Sequence, residues 1–413
     1  MTISLEISKK RSFIIQKIRD FFIENDFLEV ETPILTPIPG MEPHLTPFET
    51  TLTPPFADSF AVYLNTSPEL QMKKLLGATL EDGSSAGFDK IFNITKVFRN
   101  GEMDGPLHNP EFTMLEWYRK NTDYIDLMND CENLILMMVS KLTLKSQLTS
   151  AGQRPSTSAQ SVNLQNYDNL TASGNGTSLM DQSTLIYQFS NIDLTTPWPR
   201  FTTNELFIKY CGIDLLENQD FATFKKTIDE LAARNSILSN SQITPSSASA
   251  TSFTSSSISP FTFDSSGCTT WDDLYFKIFL NYIEPELAKS NQPIFIYDYP
   301  ASQATLSKKS QKNAFFAERF ELYIKGIELA NAFSELTDKR EQRERLKEER
   351  LLRQKLGKTV FPIDEEFLQA LDKITVPCAG IALGLDRLLM ILLDKKSIEE
   401  VLLFPMNNMI HQN

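Results

Sequence analysis

Residues 98–118 constrain the fold more than any other part of the chain, and they have the sequence FRNGEMDGPLHNPEFTMLEWY. Two β-like runs flank a loop rich in Gly and Pro, which are typical of turns. The segment is therefore predicted to form a strand–loop–strand hairpin. Side chains alternate along a strand, so Phe112, Met114, Glu116 and Tyr118 are expected on one face. Polar and aromatic groups thus gather on one side of a predicted sheet.

The loop of this hairpin carries groups suited to a nucleotide. Arg99 offers a planar guanidinium that matches phosphate oxygens. Glu102 and Asn109 could bond an adenine amino group or a ribose, and Phe112 could stack on a base. For a single residue of this set, a polar hairpin with surface ion pairs is the alternative. Together they favour a nucleotide site.

Composition excludes several other classes of protein. The chain has 413 residues and a net charge of −13, whereas proteins whose main task is to grip nucleic acid usually have a basic surface. There is no CxxC pair and there are only three histidines, which argues against zinc, a disulfide framework or a His-rich metal site. The first residues lack the apolar run of a signal peptide, and no stretch is long enough to span a bilayer. We therefore expect a cytoplasmic protein without a membrane partner.

A second hairpin is predicted at residues 318–335, with the sequence ERFELYIKGIELANAFSE and a turn at Lys325-Gly326. A two-residue turn sets Tyr323 opposite Glu328 and Glu321 opposite Ala330, and opposed residues share a face. Two neighbouring carboxylates repel each other unless a cation lies between them. Mg²⁺ bound to nucleotide phosphates is one candidate, because it takes oxygen ligands.

The alternative for these two glutamates is a solvated charged face. Glu335 lies outside the simple alternation of the second strand. It is expected to reach the same site only if the strand bulges or ends near Asn331.

Two shorter motifs complete the candidate site. Residues 380–387, GIALGLDR, predict a strand followed by a helix, in which Gly384 permits close approach of a ligand and Arg387 can reach phosphates. Residues 66–69, TSPE, predict a helix start with Ser67 as the N-cap and Pro68 in the first turn. Either motif alone is common in proteins.

The rest of the chain predicts helices at 7–25, 126–142, 203–233, 271–287 and 341–356, and short strands at 27–31, 64–66 and 91–97. Segments at about 147–197 and 237–268 are rich in Ser, Thr, Asn and Gln and bury little apolar surface. We interpret both as low-complexity insertions in a single domain that spans 1–413. Helices around clustered strands predict an α+β fold with an antiparallel sheet.

These motifs, in this order, resemble the catalytic core of class II aminoacyl-tRNA synthetases. Residues 7–33 resemble motif 1, a dimerisation element, residues 98–118 resemble motif 2, and residues 380–390 resemble motif 3. Within the family, the lysyl subgroup is the most similar. The resemblance implies a class II catalytic core, with an antiparallel sheet flanked by helices, that uses ATP and Mg²⁺ and forms a homodimer.

The resemblance also implies a role for each matching residue. Arg99 and Arg387 would be the catalytic residues that hold phosphates. The residues that it assigns to ATP are Arg99, Asn100, Glu102, Asn109, Phe112, Glu328, Leu329, Gly384 and Arg387. Glu321 and Glu328 would hold Mg²⁺. The residues that it assigns to the amino acid are Ser67, Pro68, Glu69, Glu116, Tyr118, Ala382 and Glu335.

Motif 1 begins near residue 7, so we expect no N-terminal OB-fold, the module with which lysyl-tRNA synthetases read anticodons. The chain thereby resembles the short paralogues of that subgroup, which attach (R)-β-lysine to a lysine side chain of elongation factor P. Ala382 fits them, because lysyl-tRNA synthetases tend to have Gly there. The expected partners are elongation factor P and (R)-β-lysine or lysine, and not tRNA. Aminoacylation of tRNA and a non-catalytic amino-acid or nucleotide sensor are the alternatives.

Overall fold

The computed structural model describes residues 4–103, 105–150, 184–240 and 263–410, with the backbone alone at 144–150 and 235–240. An eight-stranded sheet forms its centre, in the order β1-β5-β6-β13-β12-β11-β10-β9. Its strands are β1 (Leu28–Glu29), β5 (Lys90–Phe98), β6 (Glu111–Lys120), β9 (Arg200–Thr202), β10 (Ile294–Pro300), β11 (Phe316–Ile324), β12 (Ile327–Ser334) and β13 (Cys378–Gly384). The six inner strands are antiparallel, and β1 and β9 join the two edges in parallel.

Two small sheets accompany the large one. The first contains β2 (Leu35–Thr36), β3 (Glu49–Leu52) and β4 (Phe60–Leu64), and the second contains β7 (Thr184–Tyr187) and β8 (Ser190–Asp193). The helices, numbered over the described residues, are α1 (Leu5–Glu24), α2 (Glu69–Leu76), α3 (Tyr124–Ser150), α4 (Thr203–Cys211), α5 (Phe221–Asn240), α6 (Trp271–Ile278), α7 (Glu284–Leu287), α8 (Lys339–Lys355), α9 (Glu365–Leu371), α10 (Leu385–Leu392) and α11 (Met406–Ile410).

Side-chain alternation gives the large sheet two different faces. Leu115 and Trp117 of β6 and Leu322 of β11 join a core with α1, α3 and α10. Their neighbours in sequence point to the other face, where a large cavity opens. The α+β fold with an antiparallel sheet is confirmed, and α1 is held on the core face by Ile14, Ile18 and Phe22.

The second predicted hairpin forms with its turn at Lys325 and Gly326, both at positive φ. Tyr323 lies opposite Glu328 as predicted, but Glu321 lies opposite Asn331 and not Ala330. The predicted register was wrong because a β-bulge follows Glu328. A bulge adds one residue to one strand and reverses the alternation beyond it.

Other sequence predictions require correction. Residues 203–233 form two helices, α4 and α5, because Gly212 ends α4 in the left-handed conformation. Residues 271–287 are helical throughout, but a π-helical turn at Phe279–Ile283 separates α6 from α7. The strand predicted at 27–31 is reduced to Leu28–Glu29.

The predicted bounds of the two insertions extend too far at their C-terminal ends. Leu185, Tyr187 and Ile192 of the β7–β8 hairpin are buried in the main core, and Phe263 is buried beneath α5 and α6. Polar composition concealed the alternating apolar residues of this hairpin. Residues 151–183 and 241–262, the middle of both predicted insertions, lie outside the described residues. None of the described helices is long and apolar enough to cross a membrane.

Candidate active site

A cavity of about 1110 Å³ opens on the free face of the large sheet. The predicted site residues that line it are Ser67, Glu69, Arg99, Glu102, Asn109, Phe112, Glu116, Tyr118, Glu328, Leu329, Ala382, Gly384 and Arg387. One row of paired residues runs across the sheet from Glu116 through Ala382 and Asn331 to Glu321; the first three line the cavity, and Glu321 does not. The sheet register thus brings together motifs that lie far apart in the sequence.

One half of the cavity is rich in arginine. The Arg99 guanidinium lies 5.3 Å from the centre of the Phe112 ring and 3.6 Å from Glu102 Oε1. Arg387 lies near the start of α10. Its Nη1 donates to the Glu328 carbonyl at 2.8 Å, and its Nη2 lies 3.0 Å from His108 Nε2. These contacts leave two cationic groups facing the cavity beside an aromatic ring. Such a set can bind a nucleotide through its phosphates and base.

Two residues that the sequence assigned to ATP have other surroundings. Asn109 is buried, its amide donates to the Glu111 carbonyl, and its Oδ1 accepts from the backbone N–H of Met406. It lines the cavity, but its side chain holds the motif 2 loop and α11. Asn100 is exposed and does not line the cavity. A contact between Asn100 and ATP stays a prediction.

The two predicted magnesium ligands differ in their hydrogen bonding. Glu321 is buried and accepts from Tyr299 at 2.5 Å and Tyr323 at 2.7 Å, and it pairs with Arg319. Glu328 is more exposed and faces the cavity. Although part of its side chain reaches the open cavity, the surrounding protein desolvates the Glu328 carboxylate, and this desolvation, followed by repulsion from Glu321, raises the pKa of Glu328.

The described residues contain no cluster of three or more His, Cys, Asp or Glu side chains that could hold a metal ion. Mg²⁺, however, is usually bound by one or two carboxylates together with substrate phosphates and water. Glu328 fits that donor set directly. Glu321 would first have to exchange one of its present donors.

The other half of the cavity is acidic, and buried behind its wall lies Lys73, a residue that the sequence patterns did not single out. Lys73 is fully buried, and its Nζ lies 2.6 Å from Glu69 Oε1 and 2.5 Å from Glu335 Oε2. Burial by itself would lower the pKa of Lys73, but Glu335 and then Glu69 outweigh it and raise the pKa. The spacing of Glu69 and Lys73, four residues apart on a helix, was the signal that could have identified this pair.

Glu116 is buried completely beside this pair and accepts from Tyr118 Oη at 3.0 Å. Among the described residues, no group donates to its second oxygen, Oε1. Burial, and then repulsion from Glu69, raises the pKa of Glu116 well above its usual range. A buried carboxylate without a cationic partner is costly, so this atom marks a place for a positive group of a ligand.

Glu335 reaches the acidic half because of the β-bulge after Glu328. The bulge puts Asn331 and Phe333 in the lining of the cavity, and Glu335 on the same side of the chain, where it is buried behind the lining residues. On the neighbouring strand, Gly380 lies beneath Glu335 and Tyr118, and a Cβ atom there would overlap the Tyr118 ring and approach Glu335 Oε1 to 2.5 Å. The strand bulge that was required for Glu335 to approach this site is therefore present.

The start of α2 differs from its prediction. The N-cap is Pro68, not Ser67, and Pro68 is buried and does not line the cavity. The Ser67 hydroxyl nevertheless accepts from the Glu69 N–H at 3.3 Å. Ser67 still lines the cavity, next to Glu69.

The sheet and the motifs around this cavity define a class of protein: the chain belongs to the class II tRNA synthetase family. It matches the family described as tRNA synthetases class II (D, K and N) over residues 4–408. Its relatives include elongation factor P–(R)-β-lysine ligases. That of Avibacterium paragallinarum is 34% identical over 408 residues, which cover 98% of this chain and 97% of the relative.

Two further relatives bear the same name. The Hamiltonella defensa protein is 33% identical over 397 residues, or 96% of this chain and 94% of the relative. The Haemophilus influenzae strain Rd protein is 33% identical over 400 residues, or 97% of this chain and 94% of the relative. The resemblance identified from the motifs is thus confirmed over nearly the whole chain.

Proposed function

We propose that this protein uses ATP to activate (R)-β-lysine or a similar diamino acid as an aminoacyl-adenylate, and transfers it to a lysine side chain of elongation factor P. The relatives carry this activity in their names. The observation that carries the proposal is the charge distribution in one cavity: arginines at one end and buried carboxylates at the other.

The acidic half matches a substrate with two ammonium groups. Glu69, Glu116 and Glu335 face a single internal cation, Lys73, so two carboxylates lack a balancing charge when all are ionised. A diamino acid would supply the two missing charges and hydrogen-bond donors. An amino acid with an apolar side chain would leave one buried carboxylate unpaired, which explains why it would be rejected.

In the first step, a carboxylate oxygen of the amino acid attacks the α-phosphorus of ATP. The bond from the α-phosphorus to the oxygen that bridges it to the β-phosphate breaks, and pyrophosphate leaves with that oxygen. Arg99 and Arg387 hold the phosphates and stabilise the charge that builds on them. Phe112 stacks on the adenine, and Gly384 and Leu329 border the nucleotide. Bound Mg²⁺ would neutralise phosphate charge, held on the protein side by Glu328 and, after exchange of a donor, Glu321.

In the second step, the neutral ε-amine of the acceptor lysine attacks the acyl carbon of the adenylate. A carbon–nitrogen bond forms, the bond from the acyl carbon to the phosphate oxygen breaks, and AMP leaves. The amine proton passes to solvent. No side-chain nucleophile is required, so positioning and charge neutralisation supply the catalysis.

Exchange of pyrophosphate with ATP tests the first step. We expect exchange that depends on (R)-β-lysine in the wild type and its loss in Arg387→Ala, with an unchanged circular dichroism spectrum. Exchange at the wild-type rate in Arg387→Ala would remove Arg387 from the mechanism. Absence of amino-acid-dependent exchange in the wild type would refute activation itself.

We further propose that the chain forms a homodimer through the region that resembles motif 1. Ile23 and Leu28 within this region, and Ile34 and Leu35 directly after it, are exposed, and β1 is an edge strand of the large sheet. Exposed apolar groups next to an unpaired edge favour association. Sedimentation equilibrium should give twice the chain mass, and charged replacements of Leu28 and Leu35 should reduce it to the monomer mass.

Aminoacylation of tRNA is the alternative favoured by the family description. The net charge of −13 argues against a long nucleic-acid interface. Incubation of the pure protein with ATP, lysine and tRNA would decide between the two acceptors. Formation of lysyl-tRNA at a rate comparable with modification of elongation factor P would favour the alternative.

A further inference from the structure

A buried polar ring joins α1 to the nucleotide half of the site. Arg11 of α1 donates through Nη1 to Asp386 Oδ1 at 2.6 Å and through Nη2 to Thr113 Oγ1 at 2.9 Å. The ring closes because Asp386 Oδ2 accepts from the backbone N–H of Thr113 at 2.7 Å. Three elements that are remote in sequence thus meet at one carboxylate.

Two members of this hydrogen-bonded ring are direct neighbours in the sequence of residues proposed to bind ATP. Thr113 follows Phe112 on β6, and Asp386 precedes Arg387 on α10. The distance between the Phe112 side chain, which would stack on adenine, and the Arg387 guanidinium, which would hold phosphates, therefore depends on how β6 and α10 are joined. The bond from Asp386 to Thr113 is one direct link between them, and Arg11 bonds to both partners.

Burial makes Arg11 important for this link. The Asp386 side chain is 3% exposed and that of Arg11 is 15% exposed, so the carboxylate has little access to water. Removal of Arg11 would leave Asp386 with an uncompensated buried charge. The carboxylate would then move toward another donor or toward water, and this movement would disturb its contact with Thr113.

We infer that Arg11 is a positioning residue for the nucleotide half of the site, acting through Asp386 and Thr113 on Phe112 and Arg387. This inference rests on the proposed function for the assignment of that half to ATP. The acidic half has separate supports, Lys73 and Gly380, and does not contact Arg11. Loss of Arg11 should therefore affect ATP and spare the amino acid.

Calorimetric titration of the full-length protein with ATP and, separately, with (R)-β-lysine tests this inference. For Arg11→Met we expect the dissociation constant for ATP to rise about ten-fold or more, and that for the amino acid to change less than about two-fold. Arg11→Lys keeps the charge but cannot bond both partners at once, so its effect on ATP should be intermediate.

The matched control is Arg19→Met on the same helix, where Arg19 pairs with Glu29 on the surface and the ATP affinity should equal that of the wild type. Unchanged ATP affinity in both Arg11 variants, or an equal loss for ATP and the amino acid, would overturn the inference. If Arg11→Met does not fold, Arg11→Lys decides by the same criterion. A wild type that binds ATP but no diamino acid would refute the proposed function, while the effect of the Arg11 variants on ATP affinity would still test this inference.

Discussion

Lys73 and Glu335 form an ion pair with 2.5 Å between Nζ and Oε2, and the side chain of neither is more than 1% exposed. Glu69 approaches the same ammonium from the preceding turn of α2. One lysine ammonium is therefore buried directly behind Glu69, which lines the pocket proposed for a diamino acid. This arrangement holds two carboxylates in place and leaves Glu116 without a cation.

We predict that Lys73→Met destabilises the fold and weakens amino-acid binding. Removal of one partner from a buried ion pair costs about 3–5 kcal/mol, because the other charge remains without compensation. Urea unfolding should show this loss, and Lys73→Met/Glu335→Gln should lose less than the two single changes together. Lys74→Met is the matched control, since Lys74 pairs with Asp364 nearer the surface. Equal effects at Lys73 and Lys74 would contradict the special role of Lys73.

Glu116→Gln should have opposite effects on stability and function. At neutral pH, folding must either protonate Glu116 or bury its charge. A glutamine of nearly the same shape avoids this cost, so the melting temperature should rise by about 2 °C or more. Exchange that depends on the amino acid should fall by at least about a hundred-fold, because no carboxylate remains for one ammonium. ATP binding should persist and serves as the internal control. A variant that activates (R)-β-lysine normally would exclude Glu116 from the substrate site.

The raised pKa of Glu116 predicts that amino-acid binding releases protons. In the free protein, burial favours the protonated carboxyl, whereas a bound ammonium favours the carboxylate. The association constant for the amino acid should therefore increase as the pH rises through the pKa that Glu116 has in the free protein. Titration of (R)-β-lysine in buffers with different ionisation enthalpies measures the protons released. Net proton uptake on binding near neutral pH would contradict this expected release of protons.

Gly380→Ala should damage the amino-acid half of the site alone. The new methyl group would overlap the Tyr118 ring and press on Glu335, so both must move. We expect the KM for the amino acid to rise about ten-fold or more while the KM for ATP changes little. Pyrophosphate exchange with each substrate varied in turn measures both constants. A parallel rise in both would indicate a general loss of structure.

The hydrogen bonds of Glu321 and Glu328 predict different consequences for magnesium. Glu328→Gln should raise the Mg²⁺ concentration for half-maximal exchange about ten-fold, since a ligand charge is lost. Glu321→Gln removes the partner of buried Arg319 and should lower the melting temperature. The two effects can be compared by exchange and by thermal unfolding. An unchanged Mg²⁺ requirement in Glu328→Gln would exclude Glu328 as a ligand.

Local patterns were sufficient to predict much of the fold and the site. Alternation in residues 111–118 gave the cavity face of β6, and the Lys325-Gly326 turn gave the pairing of Tyr323 with Glu328. The β-bulge was not predictable in this way, because a single extra residue leaves no mark on composition. It was nevertheless the feature that brings Glu335 to Lys73.

Contacts between distant parts of the chain were also missed. Lys73 looked like an ordinary helix residue, since its burial depends on Glu335, which is 262 positions away in the sequence. Arg11 looked like part of an amphipathic helix, and only the fold brings Asp386 to it. Apolar periodicity predicts which side of a helix is buried, but it does not identify the charged partner that the helix meets there.

The central claim is that a diamino acid, activated in this cavity, is attached to elongation factor P. Its most direct test is mass spectrometry of intact elongation factor P after incubation with the pure protein, ATP, Mg²⁺ and (R)-β-lysine. We expect a mass increase of one lysyl residue on one lysine side chain. This increase should not occur with Arg387→Ala or without ATP. An unmodified acceptor under conditions in which the protein charges tRNA with lysine would contradict it.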